Sequence, residues 1–357
     1  MARPELIQKL SIGPETKLIA AIEQLTQADY KILLVVDCDG RLSGVVTDYD
    51  IRQAILKHNS LDPSMGEIMN QSPVVAGIGA TESEIIALMR RTGCLQVPII
   101  AGDGLPVDVR VQAEFLTLQQ KPAECVAVVM AGGMGTRLRP ITEQVPKPLL
   151  EVAGRPMLFL LLDQMISEGF NKIYVTLYYK SEMIVDRIRE TSRYAECVEF
   201  IIEDEPLGTA GSLSLLQRRP AGPFLIINAD LLTEVPLQEL LQFHRRENNI
   251  ITVALKREKF EVPYGIAEVS GGCIIALREK PELTMDVNTG VYIAEPAVLD
   301  CIRRGVKLDM PQLVNQLLAE NQRVGSFPVH EFWLDVGTHE QYNRAQIRFD
   351  TRAAVDG

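Results

Sequence analysis

Apolar positions recur along this chain in two rhythms. In the amino-terminal third one pattern is written twice. "LTQADYKILLVVDCDG" (25–40) aligns with "MRRTGCLQVPIIAGDG" (89–104) at an offset of about 64 residues, too long for a stacked solenoid unit. A stretch with helical spacing lies ahead of each copy, "TKLIAAIEQL" and "TESEIIALMR", and the second opens on the Thr and Glu of a helix cap. The predicted order in each copy is strand, helix, strand, a turn at Asp-Gly, and a further strand. Two such copies can bury their open sheet faces against each other.

A polar stretch with one proline, "LQQKPAE" (118–124), ends this pattern and predicts a boundary between domains at 1–120 and 121–357. The second rhythm follows. "VAVVM" (126–130), "NKIYVTLYY", "FLIINAD" and "IITVALKR" are strand-like, rich in β-branched and aromatic residues. "RPMLFLLLDQMISEG" and "LQELLQFHRREN" have the length and spacing of helices. Such alternation predicts an α/β domain, a mostly parallel sheet with helices on both faces. In sheets of this kind ligands bind at the carboxyl ends of the strands.

Composition narrows the setting. The chain has 357 residues, 46% of them hydrophobic, and a formal net charge of −11. Nucleic-acid binding usually needs a basic surface, so it is not expected here. No apolar run approaches the roughly 20 residues that span a membrane, and "MARPELIQKL" lacks the apolar core of a signal peptide. The six cysteines show no C-x-x-C pair, which argues against a zinc site and a disulfide framework and for a reduced, cytoplasmic setting. An anionic ligand would then be held by a few placed cations.

"AGGMGTRLRP" (131–140) supplies such cations at the end of the first buried strand of the second domain. Its glycines allow tight turns, and its amides form a concavity for anions. Gly135 is followed by Thr136 and Arg137, not the Lys-Ser/Thr of a Walker A loop. Leu138 stands where the dinucleotide fingerprint needs its third glycine. With "PKP" at 146–148, the stretch points to a phosphorylated ligand. In "EDEPLGTAGSL" (203–213), Gly208, Thr209 and Gly211 allow a flat base to lie against backbone. "IINAD" and "FWLDVGT" each end an apolar run in a carboxylate, Asp230 and Asp335. Two such aspartates beside a phosphate loop suggest Mg²⁺, which favours one or two carboxylates plus phosphate oxygens. His244, His330 and His339 have no metal-like spacing and read as structural or surface residues. Trp333 reads as a core residue.

Two resemblances follow from these motifs. Residues 6–118 resemble a tandem pair of CBS domains, best seen in "GVVTDYDIR" (44–52). In that family the Thr and Asp positions contact the ribose of an adenine nucleotide or similar ligand, which puts a regulatory nucleotide on Thr47 and Asp50. The second copy, "PVDVRVQAEF", has Val111 and Glu114 at those positions, so one ligand site is expected.

Residues 125–346 resemble the sugar-1-phosphate nucleotidyltransferases, with a Rossmann-like sheet of the glycosyltransferase-A type. "GGMGTRLRPITEQVPKPLLEVAGRPML", "PLGTAGSL", "NAD", "PYG" (263–265), "EKP", "NTGVY" and "WLDVGT" come in the family's order. The resemblance implies that a sugar 1-phosphate attacks the α-phosphorus of a nucleoside triphosphate, most like GTP, and that pyrophosphate leaves. It places Ala131, Gly132, Gly133, Gly135 and Thr136 on the triphosphate, Arg137 on the leaving pyrophosphate and Lys147 on the α-phosphate. Gly208 and Thr209 would face the base, and Asp230 and Asp335 would hold Mg²⁺. Tyr264, Gly265, Glu279, Lys280 and Asn288 would form the sugar pocket, with Lys280 on the sugar phosphate. A CBS pair ahead of this domain is similar to glucosamine-1-phosphate guanylyltransferases, so glucosamine 1-phosphate is the acceptor expected first. Mannose 1-phosphate, or thymidylyl or cytidylyl transfer, are alternatives. A non-catalytic nucleotide sensor is the reading from another class. A homo-oligomer is expected.

Overall fold

The structure, a computed structural model, describes residues 3–28, 30–58, 62–115 and 125–353. It separates into two compact units, Met1–Pro122 and Ala123–Gly357. The stretch 118–124 that marks the boundary in the sequence lies outside the described residues.

The first unit holds the same arrangement twice. β1 (Ser11–Ile12), β2 (Ile32–Val36) and β3 (Leu42–Thr47) form one sheet, and β4 (Ala76–Gly77), β5 (Gln96–Ile100) and β6 (Pro106–Val111) a second. In each, the first pair is parallel and the second antiparallel. The parallel pairs are bridged by the helices Leu18–Gln27 and Glu82–Thr92. The second helix begins with a reciprocal cap between Thr81 and Glu84, as the sequence predicts. The hairpin turns place Gly40 and Gly104 at φ of 80° and 86°, where only glycine sits without strain. β2 is buried on both sides. Leu33 and Val35 pack with Leu18, Ala21 and Leu25, while Ile32 and Leu34 pack with Val109 of the other copy. Successive strand residues point to opposite faces, so one strand joins its own helix to the neighbouring sheet.

The second unit is built around a seven-stranded sheet. β7 (Val126–Met130) is followed by a short ribbon, β8 (Glu151–Val152) and β9 (Arg155–Pro156). Then come β10 (Lys172–Leu177), β11 (Val198–Ile202) and β12 (Phe224–Asn228). β13 (Leu231–Thr233), β14 (Ile251–Glu261), β15 (Ile266–Ser270) and β16 (Cys273–Arg278) follow. β17 (Glu282–Ala294), β18 (Val324–Val329) and β19 (Trp333–Asp335) complete the set. The main sheet has the order β11-β10-β7-β12-β17-β14-β18. β11, β10, β7 and β12 are mutually parallel, and only β17 runs antiparallel to its neighbours. Every residue of β7 is buried, as a central strand covered on both faces requires. Val126, Val128 and Met130 share a core with Tyr174, Phe224, Leu313 and Leu317.

Outside the main sheet, β13 pairs with β19, and β15 with β16. The β15–β16 hairpin is largely exposed, including Val269, Ile274, Ile275 and Leu277. Among the described residues no helix is long and apolar enough to cross a membrane. All six cysteines are free thiols.

Candidate active site

The loops leaving β7, β11 and β12 open on one cavity of about 350 Å³. β7 runs directly into the loop 131–135. There Gly135 has a φ of 62°, and a Cβ on it would stand 3.0 Å from Thr142 Cγ2 and 3.1 Å from Lys147 Cβ. Both conformation and space demand glycine at this turn. The Thr142 hydroxyl donates to the Gly135 carbonyl at 2.8 Å and ties the loop down. Ala131, Gly132 and Gly133 line the cavity. Gly133 has open space where a side chain would be, so its backbone is accessible to a ligand.

Lys147 is buried and lines the same cavity. Its ammonium donates to Asp230 Oδ2 and lies 3.9 Å from Asp335 Oδ1. The two aspartates meet through the β13–β19 ladder. Leu231 pairs with Asp335, and the Val336 amide donates to the Asp230 carbonyl at 3.0 Å. Burial pushes the Asp335 carboxyl above its ordinary range and Asp230 adds to this, while Lys147 and Arg137 pull it back. Asp335 Oδ1 is buried and accepts no hydrogen bond among the described residues. Arg137 reaches the same corner. A Cβ on Gly337 would stand 3.0 Å from its Nη2.

A further carboxylate, Glu203, lines the cavity as well, and no motif in the sequence singles it out. It directly follows β11 and is buried. Oε2 accepts the Leu207 amide at 2.9 Å. A Cβ on Gly132 would stand 3.0 Å from Oε1, so the carboxylate lies beside the glycine loop. Burial pushes its carboxyl up, against the opposing effect of the Leu207 amide and the Thr176 hydroxyl. Like Asp230 and Asp335, Glu203 is a carboxylate that follows an apolar strand, and this is the sequence signal that marks it.

The chain is similar to known proteins over this unit. The family model for nucleotidyl transferases matches residues 126–351, and the CBS domain model matches residues 3–57. This chain belongs to the nucleotidyl transferase family. One relative is the mannose-1-phosphate guanylyltransferase catalytic subunit beta of Drosophila pseudoobscura pseudoobscura, 32% identical over 225 residues, which cover 60% of this chain and 60% of the relative. The mannose-1-phosphate guanyltransferase of Saccharomyces cerevisiae is 31% identical over 224 residues, covering 60% of this chain and 62% of that protein. The chain thus spans about 60% of the length of these curated relatives. A solved Bacillus anthracis protein, provisionally named a glucose-1-phosphate thymidylyltransferase, shares the fold. It has a TM-score of 0.52 and 21% identity, covering 63% of this chain and 94% of its own.

In this nucleotidyl transferase unit the remaining expected residues fall into two groups. Gly208 and Thr209 line the cavity. Gly208 has a φ of 76°, and a Cβ there would meet Asp309 Oδ1 at 2.5 Å. Thr209 is committed to the helix Met310–Ala319, since its amide donates to Asp309 Oδ1 and its hydroxyl accepts the Met310 amide. Tyr264, Gly265, Glu279, Lys280 and Asn288 do not line the cavity. Tyr264 is 74% exposed beside the β15–β16 hairpin. Glu279 Oε2 lies 3.0 Å from where a Cβ on Gly265 would be. Lys280 turns the chain with a φ of 41°. Asn288, on β17, donates to the Tyr292 hydroxyl at 2.6 Å and accepts the Gly290 amide at 3.0 Å. Trp333 is half-buried and donates to the Thr289 carbonyl at 2.8 Å.

In the CBS unit Thr47 and Asp50 bond to each other. Asp50 Oδ2 accepts the Thr47 amide at 2.8 Å and its hydroxyl at 2.7 Å, which caps the helix Asp48–His58. The second copy repeats the amide bond, from Val111 to Glu114 Oε2 at 3.4 Å. The pair matched by sequence therefore matches in geometry, without the hydroxyl.

Proposed function

We propose that this chain transfers the guanylyl group of GTP to a hexose 1-phosphate, with mannose 1-phosphate the first acceptor to test, releasing pyrophosphate. The observation that carries the reaction type is Lys147, buried between Asp230 and Asp335 beside the glycine loop. The relatives named above are mannose-1-phosphate guanylyltransferases. Nothing in those names favours glucosamine 1-phosphate, the acceptor expected from the sequence, so mannose 1-phosphate takes its place.

The base assignment is supported by Glu203. A carboxylate only accepts hydrogen bonds. Guanine offers it two neighbouring donors, N1–H and the N2 amino group. Adenine and cytosine present a ring acceptor at that edge, and uracil and thymine a single N–H flanked by carbonyls. A buried carboxylate in the cavity thus suits guanine.

Strand order supports the layout of the ligands. Glu203 follows β11, Gly132 follows β7, Asp230 follows β12, and Asn288 lies on β17. Base, phosphates and sugar would lie along the sheet edge in that order. In this reading the loop from Ala131 to Thr136 receives the triphosphate and Arg137 the leaving pyrophosphate. Lys147 meets the charge that builds on the α-phosphate. Tyr264, Gly265, Glu279, Lys280 and Asn288 receive the sugar 1-phosphate. Its attacking oxygen is already anionic, so the chain needs no strong base and contributes alignment and charge neutralisation.

Asp230 and Asp335 would hold Mg²⁺. Two adjacent carboxylates, one with a buried oxygen that accepts no hydrogen bond among the described residues, suit a hard cation with oxygen ligands. The ion, when bound, neutralises charge on the reacting phosphates. A regulatory nucleotide at Thr47 and Asp50 completes the reading. The test is a matrix of nucleoside triphosphates against sugar 1-phosphates, read by product mass. A mass of GDP-hexose is expected, and preference for UTP or dTTP would overturn the base assignment.

A further inference from the structure

Lys307 belongs to no motif read from the sequence, yet the backbone fixes its place in the cavity. The segment 306–309 is laced to the loop 207–211. The Leu308 amide donates to the Leu207 carbonyl at 2.9 Å, and the Leu308 carbonyl accepts the amides of Ala210 and Gly211, each at 2.9 Å. A Cβ on Gly211 would meet the Val306 carbonyl oxygen at 2.6 Å, and one on Gly208 would meet the Leu308 carbonyl oxygen at 2.7 Å. The two glycines of "PLGTAG" therefore let the flanks of Lys307 lie directly on the loop.

Lys307 itself is exposed and lines the cavity with Glu203, Gly208 and Asp309. It makes no ion pair among the described residues. Asp309 is committed elsewhere, with Oδ1 on the Thr209 amide and its side chain capping the helix Met310–Ala319. A cation thus faces the cavity with no carboxylate assigned to it. Position decides which part of a nucleotide it meets. Three strand spacings separate β11 from β12 in the sheet, about 14 Å at the usual spacing. Lys307 is held against the loop after β11, the loop that also carries Glu203, whereas Asp230 follows β12.

We propose that Lys307 is a specificity residue for the base, its ammonium donating to the O6 and N7 acceptors of guanine while Glu203 takes N1–H and the N2 amino group. The proposal rests on the guanylyl-transfer reading. Lysine suits the O6/N7 edge of guanine because both atoms are acceptors. Adenine in the same pose turns its N6 amino group toward the ammonium, donor against donor, and its ring acceptor toward Glu203. Two charged groups of opposite sign then reject adenine twice.

The test uses the full chain with GTP, ATP and 7-deaza-GTP, which lacks the N7 acceptor, in the wild type, Lys307→Met and Lys307→Arg. Lys307→Met is expected to lower kcat/KM for GTP by about tenfold to a hundredfold, mainly through KM. ATP turnover should rise, since the donor-against-donor clash with N6 is gone, and the penalty for 7-deaza-GTP seen in the wild type should vanish. Lys307→Arg should keep most of the preference. In the reverse reaction KM for pyrophosphate should not move. A rise in that KM would place Lys307 on phosphates and overturn the proposal, as would an unchanged GTP/ATP ratio in Lys307→Met. Wild-type preference for a triphosphate other than GTP would instead sink the guanylyl reading, before any variant is examined. Because Lys307 is exposed, an unchanged melting temperature is expected and excludes misfolding as the cause of any loss.

Discussion

Asp230 and Asp335 are neighbours because the Val336 amide donates to the Asp230 carbonyl at 3.0 Å and Leu231 pairs with Asp335 across the β13–β19 ladder. Both carboxylates then share one lysine, Lys147. Such a cluster stores a cost that a ligand can relieve. Burial and Asp230 together disfavour the charged form of Asp335.

The first prediction tests that cost. Asp335 holds its proton to higher pH in the folded chain than in the unfolded one. The folded state thus binds more protons between the two values, and this group's contribution to stability falls as pH rises through that range. At neutral pH and without ligand, Asp335→Asn should raise the melting temperature while nearly abolishing turnover. A lowered melting temperature would mean that Asp335 stabilises the fold.

Removal of divalent cations should abolish turnover, and Mg²⁺ should restore it. The pair Asp230 and Asp335 motivates this. Turnover that persists in excess EDTA would exclude the metal assignment.

Lys147→Ala should lower kcat by about a hundredfold or more, with a smaller change in KM. That pattern marks a charge used mainly as the transition state forms. Steady-state kinetics separate it from simple substrate binding, which would raise KM alone.

His244 predicts acid sensitivity of the fold. It is fully buried, with Nδ1 2.9 Å from Thr252 Oγ1. Burial, with Arg245 nearby, pushes it down to about 4. The unfolded chain titrates near 6.5 and so binds the extra proton first. Stability from neutral His244 is full above about pH 6.5 and is lost as pH falls toward 4, on the order of 2–3 kcal/mol. Urea unfolding at a series of pH values should show this slope, and His244→Gln should flatten it.

In the CBS unit, Asp50→Ala should remove nucleotide binding and leave basal turnover intact. It also removes a helix cap, worth about 1 kcal/mol. Calorimetry of the full chain with AMP and ADP should show one site per chain, lost in the variant. No binding at millimolar concentration would point to a role in assembly instead.

Much of this was legible in the sequence because it is local. The run "VAVVM" must be a buried strand, since five apolar residues in a row need cover on both faces. Gly135 and Gly208 announce turns because backbone conformation is set by the residue itself. The internal repeat predicts two like sheets, since the same pattern folds by the same rules. What tertiary structure alone decided is non-local. No pattern in the chain says that Leu231 pairs with Asp335, which sets Asp230 beside it, or that β17 enters an otherwise parallel neighbourhood. Those pairings depend on which distant strands share a core. Likewise, Glu203 is one acidic residue among several in "EDEPLG", and Lys307 one cation among several in "RRGVK". Only the packing of 306–309 on 207–211 brings Lys307 to the cavity that Glu203 lines, because that close backbone contact forms across the fold rather than along the chain.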